Sequence, residues 1–186
     1  MNLWKATFIV ALSLIFCTNC NRIPQSDQEL DDVREAIFRY QFTNNKSYMQ
    51  SSAPAFCLLI ENEQSPGLDL LNRFNGSQPP VKGMQDCERK PPENGHAIGV
   101  VIDRTTRRQA LLFRIQELQF IDDENVEGKG GYFENGTSGS VSLYRSTKRD
   151  GKWVITEEKL IAISQSRWTT DTGLRASAKI TLQCES

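Results

Sequence analysis

Apolar and polar positions alternate along this chain with two different periods. Near its start, apolar residues recur every three or four positions between charged ones, which predicts an amphipathic helix from about Gln28 to Phe42. The apolar stripe comprises Leu30, Val33, Ile37 and Tyr40. Ser26 and Glu29 form a capping-box pair just before that stripe, which marks the first turn of a helix. A second, short helix is predicted over Gly67–Asn75, ended by Gly76.

Most of the remaining pattern predicts β-structure. The continuous apolar run Ala55–Ile60 has the length of a strand and predicts a buried one. Further strands are predicted at Ala97–Asp103, Ala110–Ile121, Val126–Glu134, Gly139–Ser146, Lys152–Ser164 and Ala176–Cys184. The dipeptides Asn135-Gly136 and Asp150-Gly151 are hairpin signals. Ser77–Asn94 is rich in proline and glycine, which predicts an irregular connection with one brief strand at Val81–Met84.

The strand predicted at Ala110–Ile121 changes phase partway along. Its apolar residues are Leu111, Phe113 and Ile115 on one parity, then Leu118 and Phe120 on the other. One extra residue near Gln116 would produce this change, so we expect a β-bulge that bends the strand.

The last predicted strand shows the strictest alternation. Its apolar positions are Ala176, Ala178, Ile180, Leu182 and Cys184, and its polar positions are Ser177, Lys179, Thr181 and Gln183. Such a pattern is typical of a strand with one exposed face. An exposed edge of this strand is also a candidate for pairing with another protein.

The order of these elements predicts an α+β fold, with N-terminal helices packed on a curved antiparallel β-sheet. A chain of 186 residues suits one domain at the usual size of roughly 100–200 residues. We expect residues 1–19 to be a signal peptide, residues 20–27 a lipid-anchored tether, and residues 28–186 a single domain.

The first twenty residues resemble a bacterial lipoprotein signal. Lys5 precedes an apolar run from Phe8 to Phe16, which is roughly half the length of about twenty residues needed to span a bilayer. Of the two cysteines that follow, Cys20 is the favoured site of lipid attachment, because the cleaved bond needs a small neighbour and Asn19 is smaller than Phe16. Cys17 is the competing register. Plain secretion and a retained anchor are the alternatives to lipidation.

This signal predicts a location in the cell envelope. Asn21, rather than Asp, follows Cys20, which resembles an outer-membrane address facing the periplasm; secretion is the alternative. The expected partners are the membrane, through an N-terminal lipid such as palmitate, and a small apolar ligand or an envelope protein.

Charge and cysteine content exclude several classes of function. The 22 basic and 23 acidic residues nearly balance, so there is no strong positive field for nucleic acid. Cys57, Cys87 and Cys184 remain after cleavage, which allows one disulfide and one free thiol in an oxidising compartment, with the pairing open. Neither a CxxC pair nor a Cys/His cluster occurs in the predicted domain, so we expect no metal and no cofactor.

No catalytic motif stands out in the sequence. The lone histidine, His96, lies in a loop without a recognisable nucleophile. The acidic run Asp122–Glu124 lacks the ligand spacing of a calcium loop and is interpreted as a solvated hairpin tip. Gly128–Gly131 lacks the residues of a phosphate loop, so its glycines are interpreted as a bulge or as close packing of a helix on the sheet. Ser138 and Ser140 have no base that the sequence can assign.

A bent sheet covered by helices can enclose a small pocket. The aromatic residues predicted to line it are Phe113, Tyr132, Tyr144 and Trp153, with Phe133 as a further candidate. An aromatic residue in such a position is more often part of the hydrophobic core than a pocket wall.

About a third of the chain, Ala110–Ser164, resembles the C-terminal half of nuclear transport factor 2-like (cystatin-like cone) domains. The shared features are a long bent strand, an acidic turn, a Gly-Gly-Tyr strand, and a turn followed by Trp153. The resemblance implies a cone closed by the N-terminal helices. The strand at Ala55–Ile60 and the one at Ala176–Cys184 depart from that family's pattern. Enzymes of the superfamily often carry a set of Asp, Glu, His or Tyr residues in the pocket, and no such set can be matched here.

These observations lead to one main hypothesis and two alternatives. The main hypothesis is an exported, membrane-anchored lipoprotein with a non-catalytic domain that binds a ligand or a partner. The first alternative is a small periplasmic enzyme, a hydrolase or isomerase with its site in the cone. The second is a structural or inhibitory interaction module.

Overall fold

A computed structural model of the protein describes residues 26–91, 99–136 and 138–163. It contains one long helix, α1 (Asp27–Asn44), and one short helix, α2 (Leu68–Asn72). The strands are β1 (Phe56–Leu59), β2 (Val81–Gly83), β3 (Cys87–Lys90), β4 (Val100–Asp103), β5 (Gln109–Phe120), β6 (Asn125–Asn135), β7 (Ser138–Arg149) and β8 (Lys152–Ile163).

The eight strands form one sheet in the order β2-β1-β5-β6-β7-β8, and β4 pairs with β3 and β5 beside this row. β5, β6, β7 and β8 are antiparallel neighbours. β1 instead runs parallel to both β2 and β5. A parallel pair needs a long crossover connection, and residues 60–80, which include α2, supply one between β1 and β2.

The predicted fold of N-terminal helices on a curved antiparallel sheet is therefore wrong, although the arrangement remains α+β-like. The sheet is mixed, and only α1 is a long helix in the described part of the chain. The error lies in β1, because a continuous apolar run predicts burial without giving a direction. All four residues of β1 are buried, as is typical of a parallel strand covered on both faces.

α1 begins as its sequence predicts. The N–H of Glu29 donates to Ser26 Oγ at 3.1 Å, which confirms the N-cap. The Glu29 carboxylate does not complete a capping box but accepts from Lys148 Nζ on β7 at 2.8 Å. This ion pair connects the first turn of the helix to the far end of the sheet.

Glycines on β6 allow α1 to lie close to the sheet. A Cβ atom at Gly128 would stand 2.7 Å from Ile37 Cδ1, closer than carbon atoms approach. A Cβ atom at Gly130 would overlap the carbonyl oxygen of Arg114 and stand 3.0 Å from Gln41 Nε2. The interpretation of these glycines as a helix-packing site is thus confirmed.

The sheet is covered on two faces by different residues. On the side of α1, the core includes Val33, Ile37, Phe38, Phe56, Phe113 and Val126. On the opposite side, a smaller cluster contains Ala55, Leu112, Val101 and Phe133 around a disulfide between Cys57 and Cys87. The disulfide joins β1 to β3 and selects one pairing among those that the cysteine count left open.

Several predicted elements can be compared directly with the structure. The register of β5 against β6 shifts between Ile115 and Glu117, which confirms the predicted bulge. β3 was missed, because it lies within the Pro- and Gly-rich stretch that predicted an irregular connection. The predicted strand Ala176–Cys184, the signal segment and its Cys17 and Cys20 lie outside the described residues.

Asp103, at the end of β4, is fully buried. Its carboxylate accepts from Lys82 Nζ at 2.7 Å, from Thr106 Oγ1 at 2.6 Å and from the backbone N–H groups of Thr105 and Thr106. Burial raises the pKa of this carboxyl, but the hydrogen bonds outweigh it and lower the pKa to about 2. Asp103 therefore holds the turn into β5 as a charged acceptor.

Candidate functional site

A cavity of about 340 Å³ lies between the C-terminal end of α1 and the neighbouring faces of β6, β7 and β8. Its size is within the range of small-molecule sites. The residues that define its character are Tyr40, Gln41, Tyr132, Tyr144, Leu160 and Ile163. The cavity exists because α1 ends before it covers the last part of the sheet.

The four aromatic residues predicted to line a pocket divide into two groups. Tyr132 and Tyr144 line the cavity. Phe113 is fully buried in the core, with the rings of Phe42 and Phe56 each 5.0 Å from its own. Trp153 is also buried and packs edge-on against Phe120. The structure therefore brings two of these side chains to the cavity and places two in the core.

The cavity has an unpaired hydrogen-bond acceptor in its wall. Gln41 is 3 % exposed, and its Nε2 donates to the carbonyl oxygen of Arg114 at 3.3 Å. Its Oε1 has no hydrogen-bond partner among the described residues. Nearby on β7, the fully buried Ser142 Oγ is also unpaired within the same part of the chain. Buried polar atoms without partners cost free energy. Both side chains neighbour the Tyr144 hydroxyl, and of the two only Gln41 lines the cavity.

The tyrosines of the cavity are held in their neutral form. Burial raises the pKa of Tyr144 to about 12, and the Glu158 carboxylate adds to the shift, while Gln41 and Ser142 oppose it. Burial also raises the pKa of Tyr132 above its ordinary value. Both phenols are therefore hydrogen-bond donors at neutral pH and not bases.

The rim of the cavity carries charge. The hydroxyl of Tyr40 donates to Glu158 Oε2 at 3.1 Å, and the pKa of Tyr40 is raised by burial and by this carboxylate. The ring of Tyr40 lies edge-on to that of Tyr144, with centroids 5.9 Å apart. Glu158 and Lys46 both line the cavity, and both are exposed to solvent. The charged groups thus stand at the entrance, whereas the interior is aromatic and neutral.

A buried carboxylate lies beside the cavity. Glu134 Oε2 accepts hydrogen bonds from Ser47 Oγ at 2.7 Å and from Ser138 Oγ at 2.8 Å. The carbonyl oxygen of Glu134 accepts from Gln109 Nε2 at 2.9 Å. These bonds fix the loop after α1 to the end of β6, two residues from Tyr132 of the cavity wall.

A second, broader groove lies on the other side of α1 and is more open to solvent. It is lined by Phe42, Tyr48, Phe56 and Pro79, among others. Tyr48 is 93 % exposed, so its ring adds little enclosure. None of the described residues that line this groove has a buried polar side-chain atom without a partner.

The other candidates from the sequence show no assembled chemistry. The Asp122 carboxylate accepts from the N–H of Glu124 and from Asn125 Nδ2, so it caps its own turn at the hairpin tip. Within the described residues, no group of three or more potential metal ligands is assembled. His96 and Cys184 lie outside the described residues.

Sequence reasoning missed Gln41 and Glu134. Gln41 falls in the predicted helix, one position after Tyr40 of its apolar stripe, and a glutamine there gives no signal of burial. The available clue was Gly130 on β6, which lies across the interface from Gln41. When a helix packs this closely against a glycine, the helix side chain that lies over the glycine is buried.

Comparisons of the chain with protein-family models, curated proteins and solved structures find no match. Among the described residues, no helix combines the length and the apolar character needed to cross a bilayer.

Proposed function

We propose that the protein binds a small molecule with an apolar, aromatic-compatible body and at least one hydrogen-bond donor group, in the cavity at the end of α1. The observation that carries this proposal is Gln41 Oε1, a buried acceptor without a partner in the described part of the chain. A ligand N–H or O–H that shifts the neighbouring side chains enough to reach this shielded atom would satisfy it, which gives a polar anchor beside the aromatic and aliphatic walls.

The walls of the cavity favour a neutral ligand body. Leu160 and Ile163 form an aliphatic side, and the rings of Tyr132 and Tyr144 form an aromatic one. Burial of apolar surface contributes roughly 25 cal/mol per Å², so a ligand of this character would gain most of its affinity from these walls.

Non-catalytic binding is favoured over proton-transfer chemistry. An acid–base enzyme needs groups with a pKa near the working pH. The three tyrosines of the cavity titrate above the ordinary value of a phenol, which moves them away from that range. These side chains suit hydrogen bonding to a ligand.

The proposal includes an exported protein attached to a membrane through Cys20, as the N-terminal pattern predicts. Such a tether would keep the cavity near a membrane surface, where apolar small molecules concentrate. This part rests on residues 1–20 alone and is tested separately from the cavity.

The binding proposal is tested with N-phenyl-1-naphthylamine, a neutral fluorescent aromatic amine with one N–H donor. We expect a saturable rise in its fluorescence with the full chain. Leu160→Arg places a charge in the cavity wall and should weaken binding at least tenfold. Ile161→Arg is the matched control, because Ile161 is the next residue, is similarly exposed at 51 % against 54 % and does not line the cavity. Equal loss in both variants, or no saturable binding, would contradict the proposal.

A ligand pair tests the role of the unpaired acceptor. The N-methyl derivative of the same amine keeps the aromatic body and lacks the N–H. We expect it to bind about fivefold more weakly or worse, since one hydrogen bond to a buried acceptor contributes about 1 kcal/mol. Equal affinities of the two amines would show that Gln41 Oε1 is not the anchor.

A further inference from the structure

β8 ends the sheet with an exposed apolar edge. Within residues 26–91, 99–136 and 138–163, β7 pairs with one side of β8 and no strand pairs with the other. Four of the seven exposed large hydrophobic residues in this part of the chain belong to β8: Val154 at 37 %, Leu160 at 54 %, Ile161 at 51 % and Ile163 at 66 %. A twelve-residue edge strand of this composition is a template for pairing with a further strand.

The two sides of β8 differ in character. Trp153 and Ile155 contribute to the core beneath α1, and Leu160 and Ile163 continue this side as the wall of the cavity. They share one side because the register of β8 against β7 shifts twice along the strand. The opposite side carries Glu157 and Lys159, which stand across from Arg145 and Leu143 of β7, together with Val154 near the start of the strand. This side is thus polar over residues 157–159. A strand added to this edge would therefore need one apolar face and one polar face.

The sequence that follows β8 meets this requirement. Residues 176–184 alternate strictly between an apolar set ending in Ile180, Leu182 and Cys184 and a polar set that includes Lys179 and Thr181. Nine residues extend over roughly 30 Å at about 3.3 Å each, a length comparable to that of β8.

The connection fits an antiparallel arrangement. Twelve residues, 164–175, separate Ile163 from Ala176, and they include the turn-forming sequence Asp171-Thr172-Gly173. Adjacent strands lie about 4.8 Å apart, so this length is ample for a hairpin. A parallel strand would require the chain to return along the whole length of β8 before pairing, usually by way of a helix.

We propose that residues 176–184 pair antiparallel with the free edge of β8 and add a ninth strand to the sheet. In this arrangement the apolar set faces the side of α1, next to Leu160 and Ile163. The occupant of this edge is thus a segment of the same chain. The inference goes beyond ligand binding, because the strand would form whether or not the cavity takes a ligand.

The first test is made on the unmodified full chain in solution. We expect cross-strand nuclear Overhauser effects between β8 and residues 176–184, with the β8 amides that do not bond to β7 exchanging at least a hundredfold more slowly than in an unstructured peptide. The protein should be a monomer by light scattering at the same concentration. Rapid exchange of those amides, or protection found only in a dimer, would overturn the proposal.

A pair of variants tests which face of the segment is buried. Ile180→Lys should release the outer β8 amides to fast exchange, whereas Thr181→Lys, on the polar face, should leave them protected. The amides of β5 and β6 report whether each variant is folded. The proposed face assignment is wrong if both substitutions, or neither of them, bring the outer β8 amides into fast exchange while the β5 and β6 amides stay protected. Binding of N-phenyl-1-naphthylamine by the unmodified chain is measured separately and does not depend on this result.

Discussion

Single residues set the polar features of this molecule, and Asp103 is the clearest example. Its carboxylate is fully buried, yet it stays charged because Lys82 and the residues of the following turn donate to it. The native state therefore binds a proton at this site less readily than the unfolded chain does. A carboxyl with a lowered pKa stabilises the fold above its ordinary pKa, and this contribution is lost as the pH falls towards the native value.

Asp103→Asn is accordingly expected to lower the free energy of unfolding by about 2 kcal/mol at pH 7. The difference from the unsubstituted protein should shrink as the pH falls from about 4 towards about 2, where Asp103 itself becomes protonated. Urea unfolding at a series of pH values measures this. Asp69→Asn, at an exposed carboxylate in α2, is the control and should have little effect. A pH-independent difference would show that the charge of Asp103 does not stabilise the fold.

Gln41 shows the limit of sequence reasoning at this scale. The spacing of Val33 and Ile37 predicted a buried face of α1, and both residues are buried. A glutamine in the same helix gives no comparable signal, because its burial depends on Gly130 of a distant strand. The burial of apolar residues could be predicted from their spacing, whereas the burial of a polar residue such as Gln41 could not, because it depends on residues distant in sequence.

At the scale of elements, the contact between α1 and β6 determines where the cavity opens. The helix approaches the sheet at Gly128 and Gly130 and ends at Asn44, before the last inward residues of β8. Sequence patterns predicted the helix and the bulge in β5, since each depends on residues close together in the chain. The glycines of β6 indicated either a bulge or close packing of a helix, but the sequence did not say which helix. They did not give the direction of β1, which depends on pairing with β2 and β5.

Gly130→Ala is expected to destabilise the fold more than Gly128→Ala. The added methyl group at Gly130 would overlap the backbone carbonyl of Arg114, which cannot move without disturbing the strand pair. At Gly128 it would meet the ends of Ile37 and Leu118, which can change rotamer. We expect a loss of about 2–3 kcal/mol at Gly130 and about 1 kcal/mol at Gly128, measured by denaturant unfolding. The reverse order would contradict the close approach of the Arg114 carbonyl oxygen to Gly130.

At the scale of the whole molecule, a domain with a cavity follows an N-terminal segment whose sequence pattern predicts export. The cavity could be anticipated from the sequence only in part. Tyr132 and Tyr144 were identified as candidate wall residues, but Phe113 and Trp153 were equally plausible by pattern and belong to the core. The sequence pattern does not distinguish an aromatic residue of the core from one that lines a cavity. The distinction depends on where α1 ends, because residues beyond its end are not covered by the helix.

The proposed attachment through Cys20 makes a prediction of its own. In a bacterial host that processes lipoproteins, the chain should incorporate labelled palmitate and move to the membrane fraction. Cys20→Ala should abolish the label, and Cys17→Ala should retain it. Label that persists in Cys20→Ala would indicate that Cys17 is the site of lipid attachment. Absence of label in the unsubstituted chain would indicate plain secretion or a retained anchor.

The most direct test of the account is to locate a ligand on the protein. ¹⁵N–¹H correlation spectra of the full chain would be recorded during titration with N-phenyl-1-naphthylamine. Binding in the cavity predicts saturable shifts concentrated at Gln41, Tyr132, Ser140 and Tyr144, including the side-chain amide of Gln41. Shifts concentrated instead at Tyr48 and Gln78, in the broader groove, or shifts that do not saturate, would contradict it.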